Sequence, residues 1–484
     1  MNHTFCGFRL ITRLIAIGLL CGLLSAASTA AAAEAGPEHH SHNEPAATGG
    51  QGEESQPPAP ALSLEHLEAM ALEGNPTLAQ AAAQVQAAAG RTLQASLYPN
   101  PTVGYSGEEI SAHASGGEHG GFVEQTIVTA GKLGLSHAIF QQEQVQAEEL
   151  AKAQRLRVLN AVRLLYYETL AAQHLVAWRE RLTALAQEAV GITQQLFNVG
   201  QADQPDLLQA GIETQQVQLA LVAARHDLER NWRQLAAVVG NPGLERRPLA
   251  GQLDDSIPEL DWDSALATLL EESPDLKVAK AGVQRAGAAL KRAQVEWIPD
   301  LTLRGGVHYN FERFAPGNVE VGPEGFAQLR VPLPIFNRNQ GNIATAQADL
   351  DRAQREVQRV ELSLRQRLSA TFAEYLTARQ TVEVYRTRIL ADARQAYDLY
   401  LQRYQQMAAA YPQVLIAQRT LFQAQVAYIA ALRDLWRTVV EIRGLLLVDG
   451  LAAPAGTPGV EVPSVEGPSM GRVARQSSEG RLVP

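Results

Sequence analysis

Three histidines, His39, His40 and His42, stand close together in the stretch EHHSHNE at residues 38–44, with a carboxylate at each end. Imidazole nitrogens and carboxylate oxygens make a borderline-soft ligand set, suited to Zn2+, Co2+, Ni2+ or Cu2+. The surrounding residues 34–61 are rich in Gly, Pro and Glu and nearly free of apolar side chains, so this leader is expected to be disordered. A flexible segment holds an ion loosely because nothing fixes a tetrahedral geometry, and histidines in such a tail can equally be incidental. His113, Glu118 and His119 form a second group, expected in a polar loop between two strands. His66, His137, His174 and His226 stand singly in helical sequence and read as ordinary helix residues.

Nothing in the chain spells catalysis. The sequence contains no HExxH and no phosphate-binding glycine loop, so neither catalytic residue nor cofactor is expected. Arg9 and Arg13, the apolar run at 14–24 and the small residues Ala31, Ala32 and Ala33 read as an export signal over residues 1–33. Leu20, just before Cys21, argues against a lipid-attachment motif. Cys6 and Cys21 both fall in the signal, which leaves the mature chain with no thiol for a disulfide or a metal. Losing Arg9 and Arg13 takes the formal charge from −10 to −12, which argues against a nucleic-acid partner. Residues 451–484 read as a second disordered tail.

Between these ends the chain repeats itself. Leu72, Glu73, Pro76 and Leu78 recur as Leu270, Glu271, Pro274 and Leu276, with Asn75 and Ser273 placed as helix N-caps ahead of a first-turn proline. LFNVGQADQPDLLQA from Leu196 corresponds to RYQQMAAAYPQVLIA from Arg403. Two similar halves follow, residues 62–248 and 249–450, each reading helix, strand, strand, long helix, turn, helix. The long helices are expected at about 132–197 and 341–405. In the first, Val158, Val162, Leu165, Thr169, Ala172 and Val176 follow the alternating steps of four and three of a coiled-coil seam. Helices alone would leave a filamentous coiled coil as an open reading.

Short alternating segments after Pro99 and Pro299 argue otherwise. Leu301, Leu303, Val307, Tyr309 and Phe311 point one way, and Thr302, Arg304, His308 and Asn310 the other. This is the length and period of a membrane β-strand. Leu329, Val331 and Leu333 likewise oppose Gln328 and Arg330, Val103 and Tyr105 oppose Thr102 and Ser106, and Val123 and Ile127 oppose Glu124 and Thr126. Gln125 interrupts the apolar side of that last segment. The strands are expected at about 101–107, 121–128, 300–311 and 326–334, with polar loops at 107–121 and 312–325. Four strands are too few for a membrane barrel, and an open sheet in lipid leaves backbone groups unpaired, so the chain must oligomerise. A trimer supplies twelve strands, with Thr302, Arg304, His308, Asn310, Gln328 and Arg330 lining the lumen. A soluble hairpin packed on helices is the alternative.

With the duplicated Asn75-Pro76 and Ser273-Pro274 starts, the strands at YPNPTV and WIPDLTL, and the segment VPLPIFNRNQGNIATAQADL, the chain resembles the TolC-like outer membrane efflux protein family. The resemblance covers about residues 62–448. It implies a mainly α fold with a transmembrane β-barrel: long antiparallel coiled-coil helices form an α-helical periplasmic tunnel, and a homotrimer closes a 12-stranded barrel in outer membrane lipid. The implied partners are a periplasmic membrane-fusion adaptor and a proton-driven inner membrane pump. The implied adaptor-docking tip is the pair of turns carrying Phe197, Gly200, Pro205 and Asp206, and Tyr404, Met407 and Pro412. The first keeps the family's aromatic-x-x-Gly pattern, whereas Met407 stands where the second would have glycine. Family members close this end with charges, for which Asp392, Arg394, Asp398 and Arg403 are candidates. Within the family the chain looks most like the outer-membrane components of cobalt–zinc–cadmium resistance pumps. Drugs, solvents or a secreted polypeptide remain the alternative cargo.

Overall fold

Each half of the chain opens with a short helix that turns at a proline into a longer one: α1 (Leu64–Gly74) into α2 (Pro76–Ser96), and α5 (Trp262–Glu272) into α6 (Pro274–Val295). The structure, a computed structural model, describes residues 61–110, 116–200, 202–255, 257–314, 316–317, 319–406, 408 and 411–456. His39, His40, His42, His113 and Met407 lie outside the described residues. Proline suits the first turn because its missing N–H would have no intrahelical partner there.

Asn75 caps α2. Its Oδ1 accepts from the Thr77 amide at 3.0 Å and the Thr77 hydroxyl at 2.7 Å, while its Nδ2 donates to the Val238 carbonyl at 2.8 Å. The last bond ties the start of α2 to the end of α4 (Gln204–Val239). Gly74 and Gly240 make this approach possible: a Cβ on Gly74 would lie 2.8 Å from the Val239 carbonyl oxygen, and Gly240 ends α4 at φ 82°. Ser273, expected as the matching cap, is buried but makes no side-chain cap hydrogen bond. Asp261 takes the capping role one helix earlier, accepting from the Ser264 amide and hydroxyl at 3.0 Å each. Those bonds hold its carboxyl below the usual carboxylate range.

After α2 come β1 (Thr102–Glu108), β2 (Glu118–Ile127), α3 (Lys132–Asn198) and α4. After α6 come β3 (Leu301–Phe314), β4 (Val319–Arg330), α7 (Gln340–Val384), a π turn at Tyr385–Ile389, α8 (Leu390–Gln405) and α9 (Tyr411–Arg443). The four strands form one antiparallel sheet in the order β1-β2-β3-β4. The hairpins of the two halves join at β2 and β3, from Ile127 opposite Leu301 to Glu118 opposite Asn310. α3 has 67 residues, which at about 1.5 Å per residue makes a rod of roughly 100 Å. Val158, Val162, Thr169 and Ala172 of its seam are buried, and Leu165 packs partly buried against the core. Among the described residues no helix is long and apolar enough to cross a membrane.

The core sits where the helices of both halves meet. Tyr167 stacks on Trp436 with ring centroids 4.0 Å apart, and the Trp436 indole donates to the Leu253 carbonyl at 2.6 Å. The Tyr375 hydroxyl accepts from the Leu260 amide at 3.0 Å and donates to the Pro258 carbonyl at 3.2 Å. These bonds pin the segment between the halves against α7 and α9. Leu62 joins it from the other side through a parallel bridge to Leu249.

The observed strand limits differ from those expected. β2 starts at Glu118 rather than 121, because Gly120 and Gly121 pair with His308 and Val307 inside the ladder instead of forming a loop. β4 spans Val319–Arg330 rather than 326–334. Pro323 falls within it opposite Tyr309, a place open to proline because β4 is an edge strand. Glu118 and His119 are therefore strand residues, and most of the expected loop at 312–325 is strand as well, up to Phe314 in β3 and from Val319 in β4. The helix expected at 341–405 is broken by the π turn. Thr377, Thr381 and Thr387 around it each donate a hydroxyl to the carbonyl four residues back, a bond that bends helices.

Replacing Asn75 by alanine strands the Val238 carbonyl and the Thr77 donors at once. We expect Asn75→Ala to destabilise the fold by about 1–3 kcal/mol, read as a lower midpoint in chemical denaturation of the helical signal.

Candidate functional site

The sheet has two unlike faces. One is apolar and exposed: Val103 and Tyr105 of β1, Val123 and Ile127 of β2, Leu303, Val307, Tyr309 and Phe311 of β3, and Leu329 of β4. Val307 keeps 69% exposure on an inner strand, so no other part of the described chain covers this face. Gln125 does not spoil it, because its Nε2 donates to the Pro99 and Thr126 carbonyls, each at 2.9 Å. Tyr105, Tyr309 and Phe311 lie toward the hairpin end of the sheet. Tyr98, Trp297 and Phe336 are exposed at the helix end.

The register places Thr302, Arg304, His308, Asn310, Gln328 and Arg330 together on the opposite face. Glu118 and Glu124 of β2 and Glu324 of β4 join them through their pairings with Asn310, Arg304 and His308. Phe122 and Phe326 share this face, which the alternation of residue types did not announce. The Arg304 guanidinium lies 3.8 Å from the centroid of the Phe122 ring and 5.7 Å from that of Phe326. Gly306 leaves room for the Phe326 ring, which a Cβ there would meet at 2.9 Å, and Gly104 leaves room for the Phe122 ring.

His308 stands between two carboxylates. Its Nε2 is 3.2 Å from Glu118 Oε2 on β2 and 3.2 Å from Glu324 Oε2 on β4. Asn310 Nδ2 donates to the other Glu118 oxygen at 3.0 Å. A Cβ on Gly120 would run into the His308 backbone, so the glycine permits the histidine its place. His119, grouped with Glu118 on sequence, points to the other face. Its Nδ1 bonds the Tyr105 hydroxyl and its Nε2 the Gly116 carbonyl at 2.7 Å, which occupies both ring nitrogens. The structure thus separates His119 from Glu118 because neighbouring strand residues project to opposite sides.

The sheet is fastened to the helices at Asp300, just after Pro299. Asp300 Oδ1 accepts from Lys132 Nζ at 3.0 Å and from the Thr129 amide at 2.9 Å, and Thr129 Oγ1 donates to the Pro299 carbonyl at 2.7 Å. Lys132 is buried here, which makes this ion pair sheltered. Arg292 lies beside it, its Nε donating to Ser136 Oγ at 3.1 Å and its guanidinium pairing with Glu296. Burial pulls the Arg292 guanidinium below its usual range, and the nearby Asp300 opposes that shift. No sequence signal marked this cluster, since its members come from both halves.

At the far end of the rod, Phe197 is half-buried and Gly200 takes φ 74° with open space around it. The Gly200 amide donates to the Phe197 carbonyl at 3.0 Å, closing α3. Pro205 is in the first turn of α4, and Asp206 accepts from the Asp203 amide at 3.3 Å, so Asp206 also caps that helix. In the second turn Tyr404 is half-buried and Pro412 exposed. The Ala408 amide donates to the Arg403 carbonyl at 2.8 Å. Asp392, Arg394, Asp398 and Arg403 are all exposed.

Residues 67–241 and 265–446 each match the outer membrane efflux protein family. The cobalt-zinc-cadmium resistance protein CzcC of Cupriavidus metallidurans is 26% identical over 391 residues, covering 80% of this chain and 90% of that protein. The toluene efflux pump outer membrane protein TtgF of Pseudomonas putida is 27% identical over 390 residues, covering 76% and 79%. The crystal structure of the outer membrane protein VceC of Vibrio cholerae superposes with a TM-score of 0.65 at 19% identity, over 80% of this chain and 96% of that one. The chain belongs to the outer membrane efflux protein family, whose members are channels of the Gram-negative outer membrane rather than enzymes.

Proposed function

We propose that the protein is the passive exit duct of a tripartite efflux system and that its cargo is divalent transition-metal cations. Three copies close a 12-stranded barrel, their polar faces lining a water-filled lumen and their apolar faces meeting lipid. The long helices continue the duct across the periplasm. The turns around Phe197, Gly200, Pro205 and Asp206, and around Tyr404, Met407 and Pro412, dock on a periplasmic adaptor coupled to a proton-driven inner membrane pump. The pump supplies the energy and most of the selectivity.

The observation that carries this reading is the open four-stranded sheet with one uncovered apolar face and one polar face. Exposed aromatic residues fall in two bands, Tyr105, Tyr309 and Phe311 at one end of the strands and Tyr98, Trp297 and Phe336 just beyond the other. Eight residue steps from Leu301 to Tyr309 cover about 27 Å of strand, close to the apolar band of about 25 Å in outer membrane barrels. The likeness to a cobalt-zinc-cadmium resistance protein over most of both chains supports a metal cargo. The leader histidines His39, His40 and His42 are consistent with it. The toluene pump relative supports a second reading, organic cargo through the same duct.

Elemental mass spectrometry of cells under metal stress separates the two. We expect deletion of the gene, in cells expressing the partner pump, to raise cellular zinc, cobalt, nickel or cadmium, and the intact gene to restore it. Unchanged metal would move the cargo to organic molecules. On the sheet, Leu303→Arg puts a charge on the lipid-facing side and should cost about 2–4 kcal/mol near the bilayer midplane. Trimer recovered from outer membranes should fall sharply for this variant, whereas Arg304→Ala should assemble near the wild-type level; equal yields would overturn the facing. At the tip, Gly200→Val forces a β-branched residue into a left-handed conformation. Crosslinking of tip cysteines to the adaptor should drop severalfold while the barrel stays folded.

A further inference from the structure

We propose that Glu118, His308 and Glu324 form a transition-metal site on the inner wall of the barrel, near its hairpin end. The proposal rests on the reading of the polar face as the lumen wall, and not on the identity of the cargo. The three residues come from three strands, β2, β3 and β4, and one ligand atom from each lies within 4.8 Å of the other two. Both carboxylates converge on one atom: Glu118 Oε2 and Glu324 Oε2 are each 3.2 Å from His308 Nε2.

A cation answers three features of this arrangement. An imidazole has at most one hydrogen to offer at Nε2 and cannot serve two carboxylates well. Two carboxylates drawn to one point repel each other unless a positive charge stands between them. Ligands bound tetrahedrally at about 2.0–2.1 Å stand about 3.3 Å apart; both separations from His308 are 3.2 Å, and the two carboxylate oxygens lie within 4.8 Å of each other. An ion seated among the three atoms would draw the carboxylates together, with a fourth position left for water. Asn310, donating to the other Glu118 oxygen at 3.0 Å, holds that carboxylate in place as a supporting partner. Gly120 keeps the space beside His308 clear.

The ligand chemistry selects the ion class. One imidazole with two carboxylates suits Zn2+, Co2+ and Ni2+, whereas Mg2+ and Ca2+ favour all-oxygen shells. The side chains of His308, Glu118 and Glu324 are 15, 23 and 43% exposed, so the site is sheltered and still open to solution on the Glu324 side.

The test uses purified full-length trimer in detergent, titrated with Co2+ and followed by its visible absorption, with Mg2+ and Ca2+ as competitors. To separate the leader, the titration is repeated in the His39→Ala, His40→Ala, His42→Ala background. We expect one Co2+ per chain to persist in that background and to disappear with His308→Ala, and Glu324→Gln to weaken binding at least tenfold. Variants are compared as heat-stable trimers, and Asn310→Ala should weaken binding less than His308→Ala. Identical Co2+ binding in assembled His308→Ala trimer would overturn the proposal, as would displacement of Co2+ by an equal concentration of Ca2+. Cellular metal content reports separately on cargo: a deletion without metal accumulation refutes the metal-efflux reading even where the purified trimer binds Co2+.

Discussion

An unpaired strand edge in hydrocarbon leaves N–H and C=O groups with no partner, each costing several kcal/mol. β1 and β4 each have one edge of this kind among the described residues. This constraint organises the rest of the molecule. The proposed closure with neighbouring copies answers it, and the two halves of one chain already answer it internally by pairing β2 with β3 over ten residue pairs. The strands can then carry apolar side chains outward without the chain covering them, as the exposure of Val307 illustrates.

A sheet placed at the end of rods about 100 Å long has to be held in fixed register with them. The Asp300 carboxylate does this at the crossing point, taking the Thr129 amide and the Lys132 ammonium from the first half while it starts β3 in the second. Breaking a sheltered pair of this kind leaves a buried charge without compensation. Farther along the rod the aromatic cluster of Tyr167, Trp436 and Tyr375 anchors the segment joining the halves. At the tip Asp206 and the left-handed Gly200 shape the first turn by local hydrogen bonds.

The polar face of the sheet combines charge with close packing. Glycines at 104, 120 and 306 admit Phe122, His308 and Phe326 to a crowded surface, and the rings shelter Arg304. Shelter of this kind strengthens electrostatic contacts relative to open water. The Phe326 ring, with its centroid 5.7 Å from that of His308, extends this shelter to one side of the proposed ion site. The pairing of His119 with Tyr105 and Gly116 on the other face shows how a residue next to Glu118 acquires a quite different role.

The sequence by itself determined which segments are helix and which are strand, because those periods are written in local spacing. Alternation at 301–311 announced two faces, and the Asn75-Pro76 signal announced a helix start that the hydrogen bonds explain. Local spacing was weaker at glycine and proline. Gly120, Gly121 and Pro323 read as loop, yet ladder pairing and an edge position make them strand. The π turn carried no proline or glycine to mark it. Only tertiary structure decided what meets whom across the sheet and between the halves. Glu118 and His308 are far apart in the chain, and nothing in either neighbourhood encodes their 3.2 Å separation. That distance comes from strand register, a property of the pairing of whole segments, in which a slip of one residue would send every side chain to the other face.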